Sequence, residues 1–293
     1  MKEVVAREAK IKKNFIEGIL PGVSSVSLLF LLGIGITLIL MGLPIFKEYG
    51  FMKFIFGTEW RPTDTTPALG ILSLIVASWI ITLGAVVIAV PLGVGSAIYI
   101  SEMASENVRA IVKPVMEVLA GVPSVVFGFF GIVFVAPLVQ TIFHLPTGLG
   151  GFTSALILGV MAVPTIASIT EDALSAVPKD IRNASYALGA NKWETIIKTV
   201  LPTAKSGIFT AIVLGTSRAM GETMTVLMVG GGATKMPTTL FEPMRAMTAT
   251  IALEMGETVV GGIHYQALFG IGLVLFLSNI MLSLIAELYL RAK

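Results

Sequence analysis

The sequence predicts an all-α polytopic membrane protein with six transmembrane helices, and three observations carry that prediction. Only 13% of the 293 residues are charged while 55% are apolar, with a mean hydropathy of +0.90, a balance that leaves too little polar surface for a water-soluble domain. Charge-free runs extend over Gly18 to Phe46, Thr65 to Ser101, Val118 to Thr170 and Thr258 to Ala286, each longer than the roughly 20 residues a helix needs to cross hydrocarbon. The runs are continuous, without the alternation over about ten residues that marks barrel strands.

The first helix is expected over 18–43, after a basic segment at 1–17. A basic start before an apolar run also describes a signal peptide, but this run is about twice the usual length of such a core and lacks a small-residue cleavage site. It therefore reads as a retained helix. Residues 44–67 read as an extracytoplasmic loop in which Tyr49, Phe51, Phe54, Phe56 and Trp60 form an interfacial aromatic belt. A core of five further transmembrane helices fills 68–293, the first of them over 68–100. The long third run holds two spans, 114–138 and 151–173, divided by His144-Leu145-Pro146-Thr147-Gly148. Pro123 predicts a kink in the earlier one, because proline removes a backbone donor and crowds the preceding turn.

A polar segment at 174–202 separates the fourth and fifth spans. Pro178 opens a short helix there, Ile181, Ala184, Ser185 and Leu188 recur at helical spacing, and Gly189 ends it. A second short helix is expected from Lys192 to Val200, before Pro202. The fifth span covers 204–230 and the sixth 263–287. Between them, Met244 to Leu253 is apolar enough either to dip into the membrane as a re-entrant element or to lie on it as an interfacial helix.

Orientation follows from Lys and Arg. With a cytoplasmic N-terminus the inside segments hold fourteen of them, including Arg109, Lys113, Lys179 and Arg182, against five outside, Lys47, Lys53, Arg61, Lys235 and Arg245. The positive-inside rule then places both termini in the cytoplasm. The basic residues serve topology and gather in no patch for nucleic acid. Absence of cysteine removes disulfides, thiolate metal sites and cysteine nucleophiles. His144 and His264 stand apart without further ligands, so no metal site is expected, and there is no G-x-x-x-x-G-K-[ST] loop for ATP.

Arg218 alone among the basic residues falls within the membrane, with Glu222 four positions on. Ionisable groups at that depth cost about 2.5–3.5 kcal/mol on insertion scales and mark pathways, pairs or gates. Ala211, Gly215, Arg218, Gly221, Glu222 and Thr225 recur at spacings of three or four, which puts them on one helix face. The guanidinium fork suits an oxyanion, since it donates two parallel hydrogen bonds. Glu222 would steady that fork, take a proton or weaken retention; Thr223 and Thr225 offer hydroxyls, although threonine in a membrane helix also bonds its own preceding turn. The competing reading is an Arg218–Glu222 pair that satisfies itself and locks a helix interface.

Asn183-Ala184-Ser185, then Gly189 after three residues, then Leu201-Pro202 after eleven more, resembles the EAA loop of ABC-importer permeases with the type I, MetI-like fold. Asn183 stands where that family usually has Glu, and Thr199 where it has Ile. Phe56-Gly57-Thr58-Glu59-Trp60, Leu119 to Gly128, Arg218-Ala219-Met220-Gly221-Glu222-Thr223-Met224 and His264 to Phe269 are similar to the phosphate-specific, PstC-type branch. The resemblance implies a phosphate permease subunit in the inner membrane of a prokaryote, working by alternating access. It implies transport roles for Arg218 and Glu222 and an ATPase-coupling role for Asn183, Ala184, Ser185, Leu188, Gly189, Leu201 and Pro202. ATP and Mg would sit on a partner ATPase dimer (PstB-like), the pore would be shared with a second permease subunit (PstA-like), and this chain would hold no cofactor. An extracytoplasmic phosphate-binding protein (PstS-like) would dock outside, with Trp60, Arg61 and Arg245 as its contacts. Other readings are a permease for molybdate, tungstate or sulfate, the sister phosphate subunit, a membrane-embedded enzyme, for which H-E-x-x-H and G-x-S-x-G are missing, and an ion-coupled transporter, which would carry an inverted repeat.

Overall fold

The computed structural model describes residues 2–291, with side chains described at 22 and over 24–288. Lys293 of the charge count lies outside the described residues. Among the described residues six helical segments are long and apolar enough to cross a membrane: Ser24–Phe56, Leu72–Met103, Ser124–Ile142, Gly151–Ser175, Lys192–Met220 and Ile263–Leu288.

Helix α1 (Lys2–Ile45) carries on through a wide π turn, Phe46–Gly50, into α2 (Phe51–Phe56). The loop expected over 44–67 is thus helical as far as Phe56. The aromatic residues explain it: Phe54 is fully buried and Phe46 meets its ring edge-on at 5.2 Å, so this part of the expected belt forms a packed helical elbow. A two-stranded hairpin follows, with Trp60 of β1 (Trp60–Arg61) opposite Leu69 of β2 (Ala68–Leu69).

Helix α3 (Leu72–Ile98) extends through a second π turn, Tyr99–Met103. The third predicted helix is divided. Helix α4 (Glu106–Ala120) starts with the Ser105 side chain accepting from Val108 N, and it stops before Gly121-Val122-Pro123. The chain restarts as α5 (Ser124–Phe130), a π turn over Gly131–Val135, and α6 (Ala136–Ile142). Proline and its restriction on the preceding residue break the helix here instead of kinking it. Helix α4 keeps Arg109, Lys113 and Glu117 on an element with no fully buried residue, separate from the span.

Helix α7 (Gly151–Ser175) lies at the centre of the bundle and packs along α3, where Gly93 lies against Ile166. A side chain at Gly93 would meet Ile166 Cγ2 at 2.8 Å, so glycine permits the close approach that holds membrane helices together. Helix α8 (Lys179–Ala187) follows, then α9 (Lys192–Thr195), a π turn over Ile196–Val200 and α10 (Leu201–Met220) in one unbroken run. No stop precedes Pro202. It occupies the first turn after the π bulge, where its missing N–H is tolerated, and the fifth span begins at Lys192, not at 204.

The fifth span also ends early. It breaks at Gly221-Glu222-Thr223 before the short α11 (Met224–Val229). Helix α12 (Met247–Glu254) tucks inside the bundle: Met247, Thr248, Ala249 and Thr250 are buried and Met247 N donates to Ser78 Oγ of α3 at 2.9 Å. Within Met244 to Leu253, residues 246–250 are covered by protein, as a re-entrant element requires, whereas Leu253 is exposed. Helix α13 (Ile263–Arg291) completes the chain, with α1 beside it. Much of α1 is otherwise uncovered, with Leu29, Phe30 and Leu40 exposed.

Candidate functional site

Two helix breaks meet near the middle of the bundle. Thr225 Oγ1, at the start of α11, donates to the Ser124 carbonyl at the start of α5 at 3.0 Å. Gly128 of α5 lies against the Met228 side chain, so the two broken elements pack on one another. Thr225 is fully buried, which makes it the tie between the breaks and removes it from the groups free to touch a substrate.

Arg218 lies in the last turn of α10, at this junction. Its Nη1 donates to Thr165 Oγ1 at 2.6 Å and its Nη2 to the Ala120 carbonyl at 3.0 Å. Thr165 lies just past the middle of α7, which fixes the depth of the guanidinium. Ala120 is the last residue of α4, so the cation sits at a helix C-terminus, where the helix dipole favours positive charge. The Arg218 side chain is nonetheless exposed. Ala211, Gly215 and Ala219 form the buried stripe of α10, and Arg218 stands one position off it.

The expected Arg218–Glu222 pair does not form among the described residues. Glu222 falls in the break, beyond the last turn of α10, so helical spacing no longer brings it back to Arg218. Its Oε1 accepts from Thr225 N at 3.2 Å, capping the first turn of α11, and its carbonyl accepts from Thr248 Oγ1 of α12 at 2.9 Å. Thr223 Oγ1 donates to the Gly221 carbonyl at 3.3 Å within the same break. Thr165, Ala120 and Thr248 escaped sequence reading, because their roles come from tertiary contacts over 26 to 98 positions.

At the end assigned to the cytoplasm, α8 stands out from the bundle. It closes in a Schellman motif: Ala190 N donates to Ser185 O at 3.2 Å and Gly189 N to Tyr186 O at 2.9 Å, with Gly189 at φ +87°, a conformation glycine adopts without penalty. Leu188 is 89% exposed, with Ile181, Tyr186 and Trp193 also exposed beside it. Exposed apolar groups of that size are unusual at a polar end of a protein. Asn183 and Ala184 are exposed as well, and Asn183 lines a groove of about 550 Å³ with Glu102, Arg109 and Arg182. Ser185 faces inwards and bonds Thr195 and Thr199. Leu201 and Pro202 lie in the helical run behind the loop.

The opposite end is organised by Glu254, which the sequence offers only as one of three acids, with Glu242 and Glu257, in the segment before the sixth span. Its carboxylate accepts from Trp60 Nε1 at 3.0 Å, from Arg245 Nη1 at 2.7 Å and pairs with His264 Nε2 at 2.9 Å. Trp60 is 3% exposed and Arg245 also donates to the Gly232 carbonyl. Trp60 is therefore an internal strut and not the surface contact expected of it, while Arg245 is braced by the same carboxylate and stays 21% exposed. Arg61 is exposed, next to Glu59 and 3.7 Å from Asp64.

A family model described as the inner membrane component of binding-protein-dependent transport systems matches residues 89–292. The chain is 37% identical to a probable ABC transporter permease protein, YqgH, of Bacillus subtilis, over 83% of this chain and 78% of that one. It is 34% identical to the phosphate transport system permease protein PstC of Mesorhizobium japonicum, over 89% of this chain and 84% of that one. It is also 34% identical to PstC of Pasteurella multocida, covering 85% and 82%. Among solved structures, an inward-facing form of the MetNI methionine ABC transporter shares the fold with a TM-score of 0.57 at 19% identity, over 76% of this chain and 94% of that one.

Proposed function

We propose that this chain, which belongs to the family of inner membrane components of binding-protein-dependent transport systems, is the permease subunit through which an ATP-driven importer moves inorganic phosphate. The observation that carries the reading is Arg218. It is a guanidinium at mid-bundle depth, exposed at the junction of two helix breaks, and among the described residues its partners are a hydroxyl and a carbonyl instead of a carboxylate. Its formal charge is therefore not cancelled by an acid, and neutral acceptors yield more readily than a carboxylate to an incoming anion. The phosphate named for the PstC relatives fits that chemistry.

The exposed face of Arg218 would be completed by a second, non-identical permease subunit. The apolar tip of α8 around Leu188 suits the surface of a cytoplasmic ATPase, which would bind and hydrolyse ATP with Mg; closure of that partner would move α8 and reorient the helices about the Arg218 junction. Outside, a phosphate-binding protein would deliver the anion, with Arg61 as the contact that remains exposed. Both termini would lie in the cytoplasm.

Uptake of labelled phosphate by vesicles holding the assembled complex tests the reading. Arg218→Gln is expected to abolish uptake while the complex still co-purifies with its ATPase, and unlabelled phosphate is expected to compete far better than molybdate, tungstate or sulfate. Normal uptake by Arg218→Gln removes the proposed role. Stronger competition by another oxyanion changes the cargo and leaves the site in place.

A further inference from the structure

Arg218 is tied to the cytoplasmic loop by a route that does not run along its own helix. Glu171 lies four positions before the end of α7, and its side chain is 2% exposed. Lys113 Nζ donates to its Oε2 at 2.6 Å, Arg109 Nη2 donates to its Oε1, and Ser175 Oγ donates to the same oxygen at 2.8 Å. Lys113 also reaches Asp172 at 2.9 Å. Desolvating a carboxylate costs several kcal/mol unless its partners answer it closely. Here both cationic partners come from one helix, α4.

The far end of that helix is Ala120, whose carbonyl holds Arg218 at 3.0 Å. Arg109 and Ala120 are eleven residues apart, or roughly 16 Å along a helix axis at 1.5 Å per residue. The near end is bonded to the last turn of α7, to which α8 is also anchored. Arg182 of α8 donates to the carbonyls of Leu174 and Val177 at 2.8 and 2.7 Å and pairs with Glu102 at 2.7 Å. Arg109 meanwhile donates to Ser175 at 2.6 Å, in the last turn of α7.

We infer that Glu171 is a positioning residue: through Arg109 and Lys113 it fixes α4 to the base of the α8 loop, and α4 in turn sets where Ala120 presents its carbonyl to Arg218. Displacement of α8 by an ATPase is then carried along a stiff helix to a bond that Arg218 exchanges when an anion arrives. The inference rests on the reading of Arg218 as the substrate contact.

The chain contains no cysteine, so Ser124→Cys, four positions after Ala120 and bonded to Thr225 through its carbonyl, gives this chain a single thiol, and the complex with unchanged Ser124 supplies the background from its other subunits. That thiol's modification rate is measured in the full complex, with and without a non-hydrolysable ATP analogue, with Glu171 intact and as Glu171→Gln. With Glu171 the nucleotide is expected to change the rate several-fold; in Glu171→Gln that response is expected to vanish. Phosphate moved per ATP hydrolysed is expected to fall about two- to thirty-fold in Glu171→Gln, the range by which residues along a coupling route act, whereas a purely structural role lowers both rates together. An equal nucleotide response in both backgrounds overturns the inference, whichever anion is carried. If the response is lost but phosphate is not transported even with Glu171 intact, the cargo reading fails and the link stands. If Glu171→Gln does not assemble, Lys113→Gln, at a 34% exposed side chain, tests the same link, and an undiminished nucleotide response there also overturns it.

Discussion

Arg218 and Glu222, four positions apart, turn away from one another: the guanidinium holds Thr165 and the Ala120 carbonyl, while the carboxylate caps Thr225 N across a helix break. The two residues therefore predict different mutant behaviour. Gln at 222 keeps a carbonyl oxygen for the Thr225 amide, so Glu222→Gln is expected to retain uptake within a few-fold of the parent. Glu222→Ala loses the cap, at about 0.5–2 kcal/mol, and should lower both stability and uptake. If Glu222→Gln were as inactive as Arg218→Gln, the negative charge itself would be required, and capping would not describe its role.

Glu254 gathers three donors from separate segments, Trp60, Arg245 and His264, with side chains 15%, 21% and 18% exposed for Glu254, Arg245 and His264. Its own helix α12 reaches Glu222 at the other end through Thr248. Removing the carboxylate leaves Arg245 without its counter-charge and the Trp60 N–H without an acceptor in a poorly hydrated place, an effect on the order of 3 kcal/mol. Glu254→Ala should thus lower the thermal midpoint of the purified complex well below that of Trp60→Phe, which gives up one hydrogen bond and keeps most of the ring's packing. Equal midpoints for the two variants would show that Glu254 does not organise this end.

What was legible in the sequence divides along physical lines. Long charge-free runs, Pro178 and Gly189 act locally, and the six spans and the α8 loop follow from them. The break at Gly121-Val122-Pro123 was visible only as a kink, because the hydropathy run from Val118 continues straight through it. Helical spacing placed Glu222 on the face of Arg218, a projection that holds only while the helix continues, and Gly221 marks where it stops. Glu254 and Glu171 carried no distinctive local signal: their cationic and indole partners lie 9 to 194 positions away, and a lone acid near a membrane boundary looks like any interfacial charge. Trp60 was misplaced for the opposite reason, since an aromatic beside charges matches a surface belt until its indole is found bonded inside.

Leu188 projects from the Schellman turn with its side chain almost wholly uncovered. The described residues leave it 89% exposed, so Leu188→Glu should leave membrane insertion and thermal stability nearly unchanged while sharply reducing co-purification with the ATPase. Gly189→Ala addresses the turn itself. Forcing a side chain into φ +87° costs roughly 1 kcal/mol, and should weaken the same association more mildly by loosening the end of α8. Undiminished co-purification of Leu188→Glu would move the docking surface elsewhere on the chain.

Lys113 lies on α4, outside the spans, and its ammonium is held protonated above the ordinary lysine range. Hydrogen bonding to Glu171 is the largest cause and hydrogen bonding to Asp172 the next. For a cation whose folded pKa is raised, the stabilisation is fully present below the unfolded value, about 10.4 for lysine, and is lost only as pH rises through the raised folded value. The link between α4 and α7 is therefore expected to persist unchanged between about pH 6 and pH 9, with the nucleotide response at Ser124→Cys constant across that interval after correction for thiolate fraction. Lys113→Gln should show a weakened response that is equally flat. A response in the parent that declines steeply between those limits would place the controlling proton on a different group, and the Lys113 bridge would no longer account for the coupling.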